Sequence, residues 1–212
     1  MSHEHKRVFS FLDLFRFPSL RTTTICVSLV FLACNFLYLA PNMILDQFGF
    51  DFYLNGIVVN TSELITYVFS YYLITQIPRR QFGLLSFSIV LLSCFALIFL
   101  QGKEICTENC FTWKVVIVMV IIFIMRFFFT FYYQLLYVYM TELFPVQIVG
   151  SALGLSIVIG SSINPFTPQL LDTVKKTNFP VMAIFCLFSC LGLLGIYFLE
   201  ETHGRPPIDR VE

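Results

Sequence analysis

Six long apolar stretches, separated by short polar segments, dominate the pattern of hydrophobic and polar positions. They cover residues 22–45, 54–77, 82–101, 114–141, 148–171 and 180–199. Each is long enough to cross the roughly 30 Å hydrocarbon core of a bilayer as an α-helix. Because a backbone in lipid must satisfy its own hydrogen bonds, the pattern favours helices over strands. It therefore predicts an all-α membrane protein with six transmembrane helices.

Polar segments flank the apolar region and suggest a simple domain organisation. Residues 1–21 are predicted to be a cytosolic N-terminal segment that either lies on the membrane surface or links directly into the first helix. Residues 22–200 form the predicted transmembrane domain. Residues 201–212 form the predicted cytosolic tail.

Composition agrees with lipid as the main solvent. Of the 212 residues, 58% are apolar and 12% are charged, against about 45–50% and 25% in soluble domains. A chain of this size cannot bury such an excess in one core. The 13 basic and 13 acidic residues cancel, so no broad positive charge favours nucleic acid. We expect a lipid bilayer as the environment and no nucleic-acid partner.

The distribution of basic residues predicts the orientation. With a cytosolic N-terminus, eight lysines and arginines fall on cytosolic segments and four on the opposite side, and Arg126 within the membrane completes the 13. By the positive-inside rule both termini are then cytosolic, and we expect the plasma membrane rather than an internal one. The polar loop with Cys106 and Cys110 then faces an oxidising compartment, where a disulfide and two free thiols are both compatible with the sequence.

Glu63 and Arg126 are ionisable residues well inside apolar stretches. From helical rise, they lie about 14 Å and about 18 Å below the outer ends of their helices. A lone charge at that depth costs at least a few kcal/mol, so such residues are expected to be paired or functional. Two compatible interpretations follow. The two residues form a buried ion pair between the second and fourth helices, or they line a solute path and exchange partners during transport.

Aromatic residues crowd the fourth stretch in the run FFFTFYYQLLYVYM. Tyr133 and Tyr137 share a helical face with Arg126, and tyrosine rings can hold organic cations by cation–π attraction. Lipid-facing aromatic residues are the alternative for about half of the run. Asn35 and Tyr38 share a face of the first helix, where an asparagine is also a common interhelical hydrogen-bonding residue. The predicted substrate cavity consists of these four residues with Glu63 and Arg126.

The fifth stretch combines small residues with Asn164 and Pro165, a pair predicted to interrupt the helix. A helix broken near a binding site and close packing through Gly150 and Gly154 both account for this pattern. Enzyme signatures are missing: the three histidines lie in the terminal segments, and the chain has no HExxH, GxSxG, P-loop or dinucleotide motif. We expect neither an enzyme nor a bound metal or cofactor.

Short motifs occur in a recognisable order at the ends of the predicted helices. DLFRFPSLR precedes the first helix, DFYLNG and SELITY belong to the second, QIPRRQ separates the second from the third, MTELFP follows the fourth, and EETHGRP follows the sixth. Together they resemble the C-terminal half of the organic cation/anion/carnitine transporter family, within the major facilitator superfamily. The resemblance covers nearly the whole chain.

This resemblance implies one half of a major facilitator-type bundle, corresponding to helices seven to twelve, in which the first, second, fourth and fifth helices line the cavity. It also implies a cytosolic gating network that latches the outward-open state. The members of that network here are Arg79, Arg80, Glu142, Glu200 and Glu201. The chain departs from the family pattern in its fifth helix, which lacks the charged residue that bears on cation or anion preference. Glu63 is then the acid left to favour a cation.

We therefore expect a transporter of small organic ions, such as organic cations or carnitine-like solutes, that works by alternating access. The expected partners are a small organic solute, the bilayer, and a second six-helix half or a homodimer, because substrate lies between two halves in such transporters. One alternative is a sugar-porter-like facilitator, although the usual Gly-Pro-x-x-Trp context is absent around Trp113. The other is a non-transporting membrane interaction protein or decayed duplicate.

Overall fold

A computed structural model describes residues 18–44, 52–74, 76–101, 111–176 and 180–202. Within these ranges all regular structure is α-helical, in agreement with the predicted class. The helices are α1 (Pro18–Ile44), α2 (Phe52–Leu73), α3 (Arg79–Gln101), α4 (Phe111–Leu143), α5 (Val149–Ser161), α6 (Thr167–Lys176) and α7 (Val181–Tyr197). Most of the predicted segment 1–21, the CTENC loop and the tail beyond Thr202 lie outside the described residues.

Three of the described helices are long and apolar enough to cross a bilayer: Leu20–Met43 in α1, Arg79–Phe99 in α3 and Val116–Leu143 in α4. Two shorter apolar helices are Val149–Ser161 and Val181–Tyr197. At 1.5 Å per residue, the 13 residues of α5 extend only about 20 Å. The chain is thus an all-helical membrane protein, and the predicted number of six crossings remains a proposal.

The fifth apolar stretch, predicted to be interrupted at Asn164 and Pro165, consists of two helices in the structure. A turn over residues 162–166 separates α5 from α6 and contains both Asn164 and Pro165. Short-range bonds hold the turn, from Asn164 N–H to the Ser161 carbonyl at 3.0 Å and from Phe166 N–H to the Ile163 carbonyl at 3.0 Å. Pro165 has no N–H, and its ring disfavours the helical conformation of the preceding residue, so the α-helical ladder cannot continue through this turn.

α1 is the central helix of the bundle and packs against α4, α5, α6 and α7. Phe36 of α1 stacks on Phe188 of α7, with ring centroids 3.9 Å apart. Glycines bring the neighbouring helices close: a Cβ on Gly160 of α5 would lie 2.7 Å from the Phe31 Cβ, and one on Gly195 of α7 would lie 2.7 Å from the Val30 Cγ2. Close backbone approach through small residues is the usual way in which membrane helices pack.

The remaining helices are arranged around α4. α3 packs between α4 and α7, and α2 packs mainly against α4 at the edge of the bundle. The side of α2 that faces α4 carries buried hydroxyl residues: Ser62, Thr66 and Ser70. The Thr66 hydroxyl also lies 3.5 Å from the Phe127 carbonyl of α4. Since α4 contacts both α2 and α1, a side chain of α4 can contact residues of both helices at once.

Candidate functional site

Arg126 lies within the membrane-spanning part of α4, and only 1% of it is exposed. Its Nη1 donates to the Tyr38 main-chain carbonyl at 2.9 Å, and its Nη2 donates to the Asn42 Oδ1. Both acceptors belong to α1, in a turn that also contains Pro41, a residue that interrupts the hydrogen-bond ladder of a helix. The buried guanidinium therefore has two neutral acceptors on the central helix.

Glu63 of α2 is the charged partner of Arg126. Its Oε1 lies 3.7 Å from Arg126 Nη2, and its side chain is 17% exposed, against 1% for Arg126. Its Oε2 lies 3.5 Å from the Tyr38 hydroxyl, the donor. Both separations exceed those of strong hydrogen bonds, so this carboxylate is held loosely and has acceptor sites to spare.

A cluster of aromatic residues continues from this ion pair. The Arg126 guanidinium lies 5.1 Å from the centroid of the Tyr38 ring, within cation–π range. Tyr38 stacks on Tyr133 at 5.8 Å, and the Tyr133 and Tyr137 hydroxyls are 3.2 Å apart. Phe31 meets Tyr137 edge to face at 5.6 Å. Five of the six residues predicted for the cavity are therefore linked by contacts: Tyr38, Glu63, Arg126, Tyr133 and Tyr137.

The sixth predicted residue, Asn35, has a packing role in the described contacts. Its side-chain amide donates to the Phe31 carbonyl of its own helix at 2.9 Å, and it lies against Gly160 of α5. Asn42, which the sequence argument missed, binds Arg126 instead. The available signal was its position four residues after Tyr38, since residues at that spacing share one face of a helix.

A second charged cluster lies at the end of α4 that leads to the ELFP motif. Arg79 at the start of α3 binds Glu142 of α4, with 2.9 Å between Nη2 and Oε1. The other oxygen of Glu142 accepts from the Thr202 hydroxyl at 2.6 Å. Thr202, which follows the acidic pair in EETHGRP, was not among the predicted residues. Both oxygens of Glu142 are thus engaged, by α3 on one side and by the segment after α7 on the other.

Glu201 and Arg80 join the ends of α3 and α7. Glu201 Oε1 accepts from the main-chain N–H groups of Arg79 at 3.0 Å and Arg80 at 3.5 Å, which are the first two residues of α3. Arg80 Nη2 donates to the carbonyl of Tyr197, the last residue of α7, at 2.7 Å. A carboxylate at a helix N-terminus and a guanidinium at a C-terminus both complement the helix dipole. Glu201 therefore caps the start of α3, and Arg80 caps the end of α7.

The remaining predicted residues have separate locations. Glu200 provides its main-chain carbonyl to the Tyr139 hydroxyl of α4. Asn164 and Pro165 lie in the turn between α5 and α6. Cys106 and Cys110 lie outside the described residues, so their predicted pairing stays a prediction. Among the residues that the structure describes, no group of three or more histidine, cysteine or acidic side chains is arranged to hold a metal ion.

Comparison with known proteins identifies the family. The profile of the family described as "Sugar (and other) transporter" matches residues 2–209. The chain is 26% identical to solute carrier family 22 member 6-B of Xenopus laevis, over 98% of this chain and 36% of that protein. It is 26% identical to solute carrier family 22 member 6 of Pseudopleuronectes americanus, over 96% of this chain and 34% of that protein. It is 23% identical to organic anion transporter 3 of Mus musculus, over 94% of this chain and 35% of that protein.

The chain spans about a third of the length of the curated relatives that it matches. Within that third, the match to the family profile covers nearly all of the sequence, and the described helices include three that are able to span a bilayer. The chain therefore belongs to the sugar (and other) transporter family of the major facilitator superfamily and is an integral membrane protein.

Proposed function

We propose that this chain forms one half of an alternating-access transporter for small organic ions, with organic cations and carnitine-like solutes as the preferred class. Its helices would correspond to helices seven to twelve of the complete bundle, with α5 and α6 together making one of six crossings. Both termini would be cytosolic, in the plasma membrane. The solute would then lie between this half and a second six-helix half, or a second copy of the chain.

The observation that carries this proposal is the unequal hydrogen bonding of the buried ion pair. Arg126 donates to two neutral acceptors, Tyr38 and Asn42, and keeps both hydrogen bonds when Glu63 turns away. Glu63 is partly exposed and lies 3.7 Å from Arg126. A solute cation can therefore bind Glu63 while Arg126 keeps these two hydrogen bonds, which offset part of the cost of separating the buried guanidinium from its carboxylate.

The aromatic cluster supports the same class of solute. The Arg126 guanidinium lies 5.1 Å from the centroid of the Tyr38 ring, so this cluster already holds one cation by cation–π attraction. Tyr133 and Tyr137 extend the cluster with two further half-buried rings. Tyrosine faces next to a carboxylate suit a cation with an apolar body, because both the ring quadrupole and the carboxylate attract positive charge.

An organic anion is the second candidate, because one group of relatives carries the name organic anion transporter 3. In that case Arg126 would be the anion-binding residue. The present geometry disfavours it, since an anion must displace Tyr38 and Asn42 from a side chain that is 1% exposed. A sugar-porter-like facilitator and a non-transporting membrane protein are the remaining alternatives.

We further propose that the second charged cluster is the cytosolic gating network of this half. Its ion pair and helix caps join α3, α4 and the segment that follows α7. Such contacts stabilise one arrangement of the helix ends and must break when the halves rock. The two clusters lie at different levels of α4, separated by the 16 residues between Arg126 and Glu142, or about 24 Å.

Uptake into vesicles tests the transport function. The chain is reconstituted alone and with a candidate N-terminal half, and uptake of a fluorescent organic cation and of a fluorescent organic anion is measured. We expect cation uptake that Glu63→Gln strongly lowers and that Leu187→Ala, on an exposed position of α7, does not change. Anion uptake that depends on Arg126 would favour the second candidate. No uptake in any combination, with the protein present in the membrane, would exclude transport by this chain.

A further inference from the structure

One side of α2 carries a continuous line of polar and aromatic positions, which we name the α2 track. Successive members are three or four residues apart, so they lie along one face of the helix. The members of the track are Tyr53, Gly56, Asn60, Glu63, Tyr67 and Tyr71. Asn60 is exposed, and the three tyrosines are 58–82% exposed. Glu63, the carboxylate of the candidate site, lies in the middle of this line.

The rest of α2 has two other sides. The buried hydroxyl side packs on α4, as described above. A third side carries exposed apolar residues, including Val68 and Phe69, and suits contact with lipid. The polar positions are thus concentrated on a side that is neither packed in the bundle nor apolar. Exposed amide and carboxylate groups in the hydrocarbon region are costly unless they face water or a ligand.

A shallow cavity of about 440 Å³ lies beside the outer half of the track. It is lined by three members of the track and by three residues of the adjoining side of α2: Tyr53, Gly56, Asn60, Ile57, Thr61 and Leu64. Gly56 makes room for it: the nearest atom to a Cβ at this position would be Asn60 Nδ2, at 4.0 Å. The absence of a side chain therefore leaves open space instead of serving a close helix contact. Asn60 and Glu63, three residues apart, have Cβ atoms about 5–6 Å from each other.

The depth of Asn60 and Glu63 distinguishes the track from a set of tyrosines that lie only at the interface between lipid and water. Tyr53 and Tyr71 near the two ends of α2 fit the positions at which tyrosines meet lipid headgroups. Asn60 and Glu63 lie about 12 Å and about 16 Å along the helix from Phe52. In the proposed arrangement of six crossings they are therefore within the hydrocarbon region, where a headgroup cannot hydrogen-bond to them.

We propose that the α2 track is an extended solute site in which Glu63 holds a cationic centre and Asn60 binds a second, polar group of the same solute. This inference rests on the proposed transport function and narrows its solute class. An amide both donates and accepts, so the second group is a hydroxyl or a carbonyl about one helical turn from the charge. Tyr67, one turn to the other side of Glu63, provides a ring for the apolar part of the solute.

The experiment compares two cations in displacing a fluorescent organic cation from the chain in lipid nanodiscs, alone and together with the candidate N-terminal half. Acetylcholine carries an ester carbonyl at a distance from its quaternary nitrogen, whereas tetraethylammonium carries no polar group. Asn60→Leu is expected to weaken acetylcholine binding about 3- to 10-fold, the effect of one lost hydrogen bond, and to leave tetraethylammonium binding within about twofold. Ser88→Ala is the control, because Ser88 is an exposed polar residue of α3 and lies outside both the track and the cavity.

Each outcome decides between the two proposals. Unchanged acetylcholine binding in Asn60→Leu, equal weakening of both cations, or the same loss in Ser88→Ala would overturn the track while leaving the cation site at Glu63 intact. Glu63→Gln is expected to weaken both cations. If Glu63→Gln changes neither, or if neither cation displaces the fluorescent probe from the unmodified chain, alone or with the candidate N-terminal half, the proposed cation function itself is contradicted.

Discussion

Arg126 of α4 donates a 2.9 Å hydrogen bond to the main-chain carbonyl of Tyr38 in α1. This contact ties the buried charge to a helix other than the one that carries its acidic partner. The bond does not depend on the protonation or position of Glu63, because its acceptor is a neutral carbonyl. The ion pair is therefore asymmetric: one partner is anchored and buried, and the other is partly exposed.

This asymmetry predicts unequal effects on stability. Arg126→Gln removes donors shared by α1 and α2 and should lower the free energy of unfolding by about 2–4 kcal/mol. Glu63→Gln removes the counter-charge of Arg126 but leaves its two hydrogen bonds to α1, and should cost less, about 1–2 kcal/mol. Thermal unfolding in detergent, followed by size-exclusion chromatography, measures both. A larger loss for Glu63→Gln than for Arg126→Gln would contradict the anchoring role of α1.

The contacts of Glu142 in the second charged cluster predict that two substitutions lower the stability of the protein to different extents. Glu142→Ala leaves the Arg79 guanidinium, whose side chain is 8% exposed, without its carboxylate and should cost about 1.5–3 kcal/mol. Thr202→Val removes one hydrogen bond to the same carboxylate and should cost about 0.5–1.5 kcal/mol. The same thermal assay applies, with Thr173→Val on the exposed side of α6 as a control. Equal, negligible effects of the first two changes would show that the cluster does not hold the helix ends together.

Helix packing predicts opposite effects for two glycines of α5. A Cβ on Gly160 would lie 2.7 Å from the Phe31 Cβ and 2.9 Å from its carbonyl carbon, whereas one on Gly154 would meet nothing within 4 Å. Gly160→Ala should therefore destabilise the fold by about 1–3 kcal/mol. Gly154→Ala should be neutral or stabilising by up to about 1 kcal/mol, since alanine favours the helix. Reversal of this order in a thermal assay would exclude close packing of α1 on α5 at Gly160.

Solvent access around α2 gives a further prediction. Asn60→Cys, on the track, should react with a water-soluble, membrane-impermeant thiol reagent, and Val68→Cys, on the apolar side, should not. Labelling is counted as the increase over the unmodified chain, which already contains cysteines. Both positions are exposed in the structure of this half. A difference in labelling would therefore report whether water or lipid surrounds each position, because burial within the half does not differ between them. Equal labelling of both positions in a bilayer would mean that the two sides of α2 face the same medium.

The hydropathy pattern was enough to predict the helical class, and helical rise was enough to place Glu63 and Arg126 at similar depths. In the structure their side-chain atoms are 3.7 Å apart. The same arithmetic could not find Asn42, because it lies on a third helix and its contact with Arg126 depends on the packing of α1 against α4. Thr202 was missed for a similar reason, since its bond to Glu142 joins residues 60 positions apart.

Local chemistry in the sequence determines which segments are apolar enough to become helices, where Pro165 can stop one, and which charges must find partners in lipid. These properties follow from residue type and spacing alone, because helix hydrogen bonds and burial in lipid are local to each segment. Tertiary structure decided which partner each charge found and how firmly it is held. That choice depends on helix contacts between distant residues, and it left Arg126 anchored on α1 and Glu63 accessible on α2.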